Sequence, residues 1–203
     1  MLIAARNGMM TGKSILPPGA RWVEYLESTG TQYIVTDYVP SDNSIVELDF
    51  QRVDNNPSLM GVYDGSSRFN LGVATGTLIW FAGIGSSNQT ATPISDTNRH
   101  ILKLSAPDKK FSVSDVGEYA CGTGSISGNT HKFNLFARYN NGDGGNCYPA
   151  RLYGVKFVEG LATVGNLRPI AIGNTGYMLD LVSGEYLPYG NKGTGDFVIG
   201  PDK

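Results

Sequence analysis

Residues 22–38, WVEYLESTGTQYIVTDY, decide the fold together with residues 177–201, YMLDLVSGEYLPYGNKGTGDFVIGP. Each stretch reads as short strand-forming runs, rich in β-branched and aromatic residues, cut by Gly, Ser, Thr and Asn at turns. They lie near opposite ends of the chain. Ends of this kind close a β-sandwich by pairing with each other. The two stretches therefore predict one all-β domain over residues 22–203, with its first and last strands adjacent.

Between them the period-two pattern continues. In residues 45–53, IVELDFQRV, the side chains of Val46, Leu48 and Phe50 fall on one face and those of Glu47, Asp49 and Gln51 on the other. Residues 151–158, RLYGVKFV, set Leu152, Gly154, Lys156 and Val158 against Tyr153, Val155 and Phe157. Runs at 32–39, 58–63, 68–73, 77–82, 100–105, 110–114 and 132–138 are further strand candidates. Turn clusters separate them at 55–57, 64–66, 85–88 and 140–146. No segment offers a long amphipathic helix. Short strands at about ten-residue spacing predict two antiparallel sheets packed face to face. A chain of 203 residues can bury such a core without disulfides, and its 27 glycines sit mostly at the turns.

The net charge of −2 gives no electrostatic reason to bind nucleic acid. No apolar run approaches the ~18 residues of a membrane span, so no membrane insertion is expected. Residues 1–21 form a separate arm, ended by Pro17-Pro18-Gly19. The arm carries Arg6, Lys13 and Arg21 with no acidic residue, and its apolar side chains Leu2, Ile3, Met9 and Met10 are candidates for attachment to another copy or to a larger assembly. Its apolar part, LIAA, is far shorter than the h-region of a signal peptide, so synthesis in the cytoplasm without general secretion is expected. Cys121 and Cys147 are too few for a disulfide framework and are expected to be reduced.

In order along the chain, YLESTGTQYIVTDY, VELDFQ, RHILKLS, LFARYNNG, RLYGVKF and MLDLVSGEYLPYGNKGTGDFVIGP resemble the concanavalin A-like, laminin-G-type jelly-roll modules of gut bacteria and their phages. The resemblance covers about residues 22–201. The leader MLIAARNGMM is similar to those on phage-encoded versions. The resemblance implies a jelly-roll sandwich. It leaves function open, since that fold serves lectins, glycosidases, adhesins and virion proteins.

The sharpest enzymatic motif is Glu47-Leu48-Asp49-Phe50-Gln51. Laminarinase-type glycosidases on the same fold carry three carboxylates on one such strand, with a nucleophile and an acid/base among them. Gln51 stands at the third position and cannot exchange a proton as a carboxyl does, so the expectation is no enzyme. Residues 8–14, GMMTGKS, miss the P-loop spacing by one residue and run into two prolines. His100 and His131 complete neither a zinc site nor a catalytic triad. Residues 140–146, NNGDGGN, have loop oxygens for calcium but one charge, Asp143, so no cofactor is expected, with calcium the sole candidate.

Aromatic rings flanked by amides and carboxylates are the usual sugar platform. Tyr63, Trp80 and Tyr139, with Asn141 and Asp143, are the ligand-binding candidates on this ground. The expected function is a non-enzymatic binding or adhesion module, a tail, fibre or decoration component of a phage or prophage virion that contacts host-surface glycan and is released by lysis. The alternatives are a free lectin-like carbohydrate-binding module and a structural virion protein without ligand.

Overall fold

The computed structural model describes residues 15–63, 68–74, 78–85, 87–122, 124–138, 146–186 and 189–203, with backbone only for 87–94. All its strand pairings are antiparallel, in two sheets, and among the described residues there is no α-helix. The first half holds β1 (Ala20–Trp22), β2 (Leu26–Thr29), β3 (Ile34–Val35), β4 (Ser44–Gln51), β5 (Ser58–Tyr63), β6 (Arg68–Val73), β7 (Ile79–Ile84) and β8 (Ser87–Ile94). The second half holds β9 (Arg99–Ser105), β10 (Lys110–Val113), β11 (Gly117–Ala120), β12 (Asn134–Leu135), β13 (Pro149–Glu159), β14 (Ala162–Ile172), β15 (Thr175–Asp180) and β16 (Val198–Ile199).

The larger sheet runs β1-β14-β13-β4-β9-β10-β11, with β15 on the far edge of β14 and β2 and β16 beside the start of β13. The smaller sheet runs β3-β12-β5-β6-β7-β8. Alternation sets what each sheet buries. Val46, Leu48 and Phe50 of β4 are wholly buried, as the pattern predicts, and so are Leu102 and Leu104 of β9. From the other sheet come Met60, Phe69, Leu71, Trp80, Ala82 and Ile84. The sheets meet ring against ring, with Phe50 edge-on to Trp80 at 6.3 Å and Phe133 edge-on to Phe157 at 5.4 Å.

The chain ends pair as expected. Ile199 lies opposite Leu26 and Val198 opposite Glu27, and Arg21 is bonded to Asp202. The turn ahead of β16 is stitched to the turn that follows β2: Lys192 N–H donates to the Tyr33 carbonyl at 2.8 Å and Thr31 Oγ1 donates to the Thr194 carbonyl at 2.9 Å.

Three expectations need correction. The long strand β14 was not foreseen, because Gly165 and Pro169 break its pattern. Both have a physical place. The Phe157 ring lies across Gly165, where a Cβ would sit 2.9 Å from Cδ2. Pro169 falls where the neighbour on one edge changes from β13, paired up to Leu167, to β1, paired from Ile170, so its missing N–H breaks no regular ladder. The second correction concerns β13. Leu152 pairs with Phe50 and Gly154 with Asp49, which leaves Tyr153 as the extra residue of a bulge. Leu152 thereby joins Val155 and Phe157 in the core, and Tyr153 is turned out of their row. The run at 32–39 is also shorter than expected, with only Ile34–Val35 paired as strand.

Candidate functional site

The outer face of the larger sheet carries the residues that the Glu47–Gln51 pattern singles out. Antiparallel register sets Glu47 opposite Lys103, Asp49 opposite Ile101 and Gln51 opposite Arg99. On the other side of β4, Lys156 faces Glu47, Gly154 faces Asp49 and Arg151 faces Gln51. Two polar rows, Lys103–Glu47–Lys156 and Arg99–Gln51–Arg151, thus cross the sheet on either side of Asp49.

Most of these polar groups are already engaged. Arg99 donates from Nε and Nη2 to the two oxygens of Asp49, each at 2.7 Å, a bidentate fork. Its guanidinium also lies 3.9 Å above the Tyr153 ring. The Tyr153 hydroxyl donates to Gln51 Oε1, and Gln51 Nε2 donates to the Thr97 carbonyl at 3.0 Å. Tyr25 meets Tyr153 edge-on at 5.4 Å and is covered in turn by Arg151, which is bonded to Glu27. Burial pushes the Tyr153 phenol above its ordinary value, against the two neighbouring arginines. The bulge made this cluster possible by aiming Tyr153 at Arg99 rather than into the core.

Beside the cluster is a shallow depression of about 100 Å³ lined by Glu47, Asp49, Ile101, Gly154, Lys156 and Arg168. Gly154 makes room for Arg168, since a Cβ there would sit 2.5 Å from Nη1. Lys103 approaches Glu47 at 3.7 Å, so the Glu47 carboxylate also faces a cation. The third position of the motif is an amide bonded at both ends.

The aromatic candidates divide. Trp80 is 1 % exposed, edge-on to Phe50 and to His100, so it offers no face to a sugar and is a core residue. The strand phase explains this, because Trp80, Ala82 and Ile84 share the inward side of β7. Tyr63 is half-buried on the outward side of β5, and two guanidinium groups lie over its ring, Arg68 at 4.8 Å and Arg138 at 4.3 Å. Tyr139, Asn141, Asp143 and the arm residues Leu2, Ile3, Met9 and Met10 lie outside the described residues.

His100 is buried, with Nε2 2.9 Å from Asp96 Oδ1 and Nδ1 2.9 Å from the Ser114 carbonyl. Among the described residues no group of three or more His, Cys, Asp and Glu side chains is placed to hold a metal. Cys121 is a buried free thiol, and burial pushes it up to about 11. Sequence reading missed Tyr25, Tyr153, Arg68, Arg99, Arg138 and Arg151. The available signal was the set of arginines placed at or beside strand ends. Comparison with protein-family models, with curated proteins and with solved structures finds no match to this chain.

Proposed function

We propose that the chain is a non-enzymatic glycan-binding and adhesive module of the jelly-roll type, carried on a phage or prophage particle as a tail, fibre or decoration component. The observation that supports it best is the fate of the Glu47–Asp49–Gln51 row. Glycoside hydrolysis needs a proton donor and a second carboxylate free to reach one bond. Here Asp49 is clamped by the Arg99 fork, Gln51 is an amide tied to Tyr153, and Glu47 faces Lys103. What is left is a rigid polar sheet face with arginines, amides and rings fixed in place, the surface of a recognition module. The virion assignment draws on the resemblance of the terminal motifs to phage-borne modules.

Two assays on the intact chain test this. Binding on a glycan array, without release of reducing ends from β-glucan, supports the proposal. Turnover that disappears in Glu47→Gln overturns its non-enzymatic part. Absence of binding to every glycan overturns its ligand part and leaves a structural virion protein.

A further inference from the structure

On the smaller sheet the register brings two buried amides to either side of a glycine. Asn134 of β12 and Asn70 of β6 both pair with Gly61 of β5. Their neighbours Phe133, Leu135, Phe69 and Leu71 belong to the core, so alternation turns both asparagines to the opposite side. Each is nevertheless only 1 % exposed. Both amide oxygens, and Nδ2 of Asn70, have no hydrogen-bond partner. Gly61 must stay bare, because its φ is +126° and a Cβ would lie 2.2 Å from the Phe69 carbonyl. Two unsatisfied amides therefore flank a glycine that can carry no side chain of its own. Buried polar atoms in native proteins nearly always find partners, and a cluster of them without one calls for a water, an ion or a bound molecule to supply them.

The next pair on the same face is Tyr63 opposite Arg68. It lies two residues further along, or about 7 Å. Arg138 joins them, since Gly61 N–H donates to the carbonyl of the preceding residue, Ala137, at 3.2 Å. Both guanidinium groups lie over the one tyrosine ring, and each keeps a buried Nε without a partner. Among the described residues neither arginine meets a carboxylate. Two cations gathered around one ring repel each other unless an anion joins them, and the arginine fork matches a planar or tetrahedral oxyanion. Tyr63, Arg68 and Arg138 are half-buried, and Asn70, Gly61 and Asn134 lie buried beside them on the same face.

We infer that this place binds an acidic saccharide, with its carboxylate or sulfate group on Arg68 and Arg138 and its hydroxyls on the Asn70 and Asn134 amides. The inference names a ligand class for the glycan-binding proposal and rests on it. The step of about 7 Å along the strand between the arginine row and the amide row suits a charged group and the hydroxyls of one sugar residue.

Calorimetric titration of the full chain with glucuronate-containing, sulfated and uncharged oligosaccharides of equal length tests it. At least one acidic series binds, its uncharged counterpart binds about tenfold or more weakly, and added salt weakens the acidic series. Which acidic series binds separates carboxylate from sulfate. Arg138→Gln and Arg68→Gln each lower affinity about tenfold or more, and Arg138→Lys, which keeps the charge and the fold but loses the fork, recovers only part. Lys110→Gln, at an exposed lysine of β10 on the other sheet and away from both candidate sites, changes nothing. Equal binding of charged and uncharged sugars, unaffected by either arginine substitution, overturns the oxyanion site and leaves the glycan-binding proposal standing. Absence of binding to every saccharide overturns both.

Discussion

Gly193 lies so close to Thr31 that a side chain on it would place its first carbon 1.9 Å from the Thr31 carbonyl oxygen. The contact has a purpose. Thr194 N–H donates to that carbonyl at 3.1 Å, and Gln32 Nε2 donates to the Thr194 carbonyl at 3.1 Å. Here the C-terminal turn is sewn onto the turn that follows β2, and only a bare backbone fits between them.

Gly193→Ala is therefore expected to lower unfolding free energy by about 1–3 kcal/mol, the usual cost of overpacking. Lys192→Ala, next to it with an exposed side chain, is expected to stay within about 0.5 kcal/mol of the parent. Urea denaturation of the two variants checks the difference.

Asp180 contributes stability that is lost at acid pH. It is 3 % exposed, and burial alone would raise its carboxyl. The opposing bonds win: Asn166 N–H at 2.8 Å, Ser183 Oγ at 2.8 Å, and the N–H groups of Val182 and Ser183 hold the carboxyl below its ordinary value. A depressed folded-state value contributes stability that is fully present above the unfolded value of about 3.9 and is lost as pH falls through the folded one. Asp180→Asn removes that part of the acid dependence and, by setting an amide against the four donors, costs about 1–3 kcal/mol at neutral pH. Thermal melts of both proteins from pH 7 down to pH 2.5 (roughly the range over which carboxylates titrate) show the two curves converging toward the acid end.

The Arg99–Asp49 fork is expected to couple the two residues by about 1 kcal/mol in a double-mutant cycle with alanine, at the upper end for partly exposed pairs. The side chain of Asp49 is 14 % exposed and that of Arg99 44 %, so the coupling should shrink in high salt without vanishing. Coupling indistinguishable from zero would mean that the fork does not hold the Tyr153 cluster in place.

These residues also show what could be read from the chain. The alternation of β4 was legible because one strand's in-and-out phase is a local property. The pairing of the two ends was legible from their turn chemistry. Tyr153 was not, since a bulge adds one residue and reverses the phase of all that follows, and only the register against β4 reveals it. Trp80 sits beside polar loops in sequence but under Phe50 in space. The Asn70–Gly61–Asn134 row was out of reach for a related reason. It is assembled from three strands, and alternation within each says nothing of which residues become neighbours.

We propose that residues 1–16 serve assembly rather than the fold. They hold Met1, Leu2, Ile3, Met9, Met10, Ile15 and Leu16, two basic residues and no acid. Burying a Leu or Ile side chain contributes roughly 1.5–3 kcal/mol, so a few of them in contact suffice to anchor the module to a partner. The domain's own ladder begins only at Ala20, opposite Ile172, and Ile15 is 65 % exposed. Deletion of residues 1–16 is expected to leave the melting temperature within a degree or so, since a change below about 0.5 kcal/mol is a small part of a domain's stability. Assembly, measured as the mass of the intact and truncated proteins in solution and on particles, is expected to be lost. If the truncated domain instead unfolds, the apolar arm completes this chain's own core and the attachment role falls.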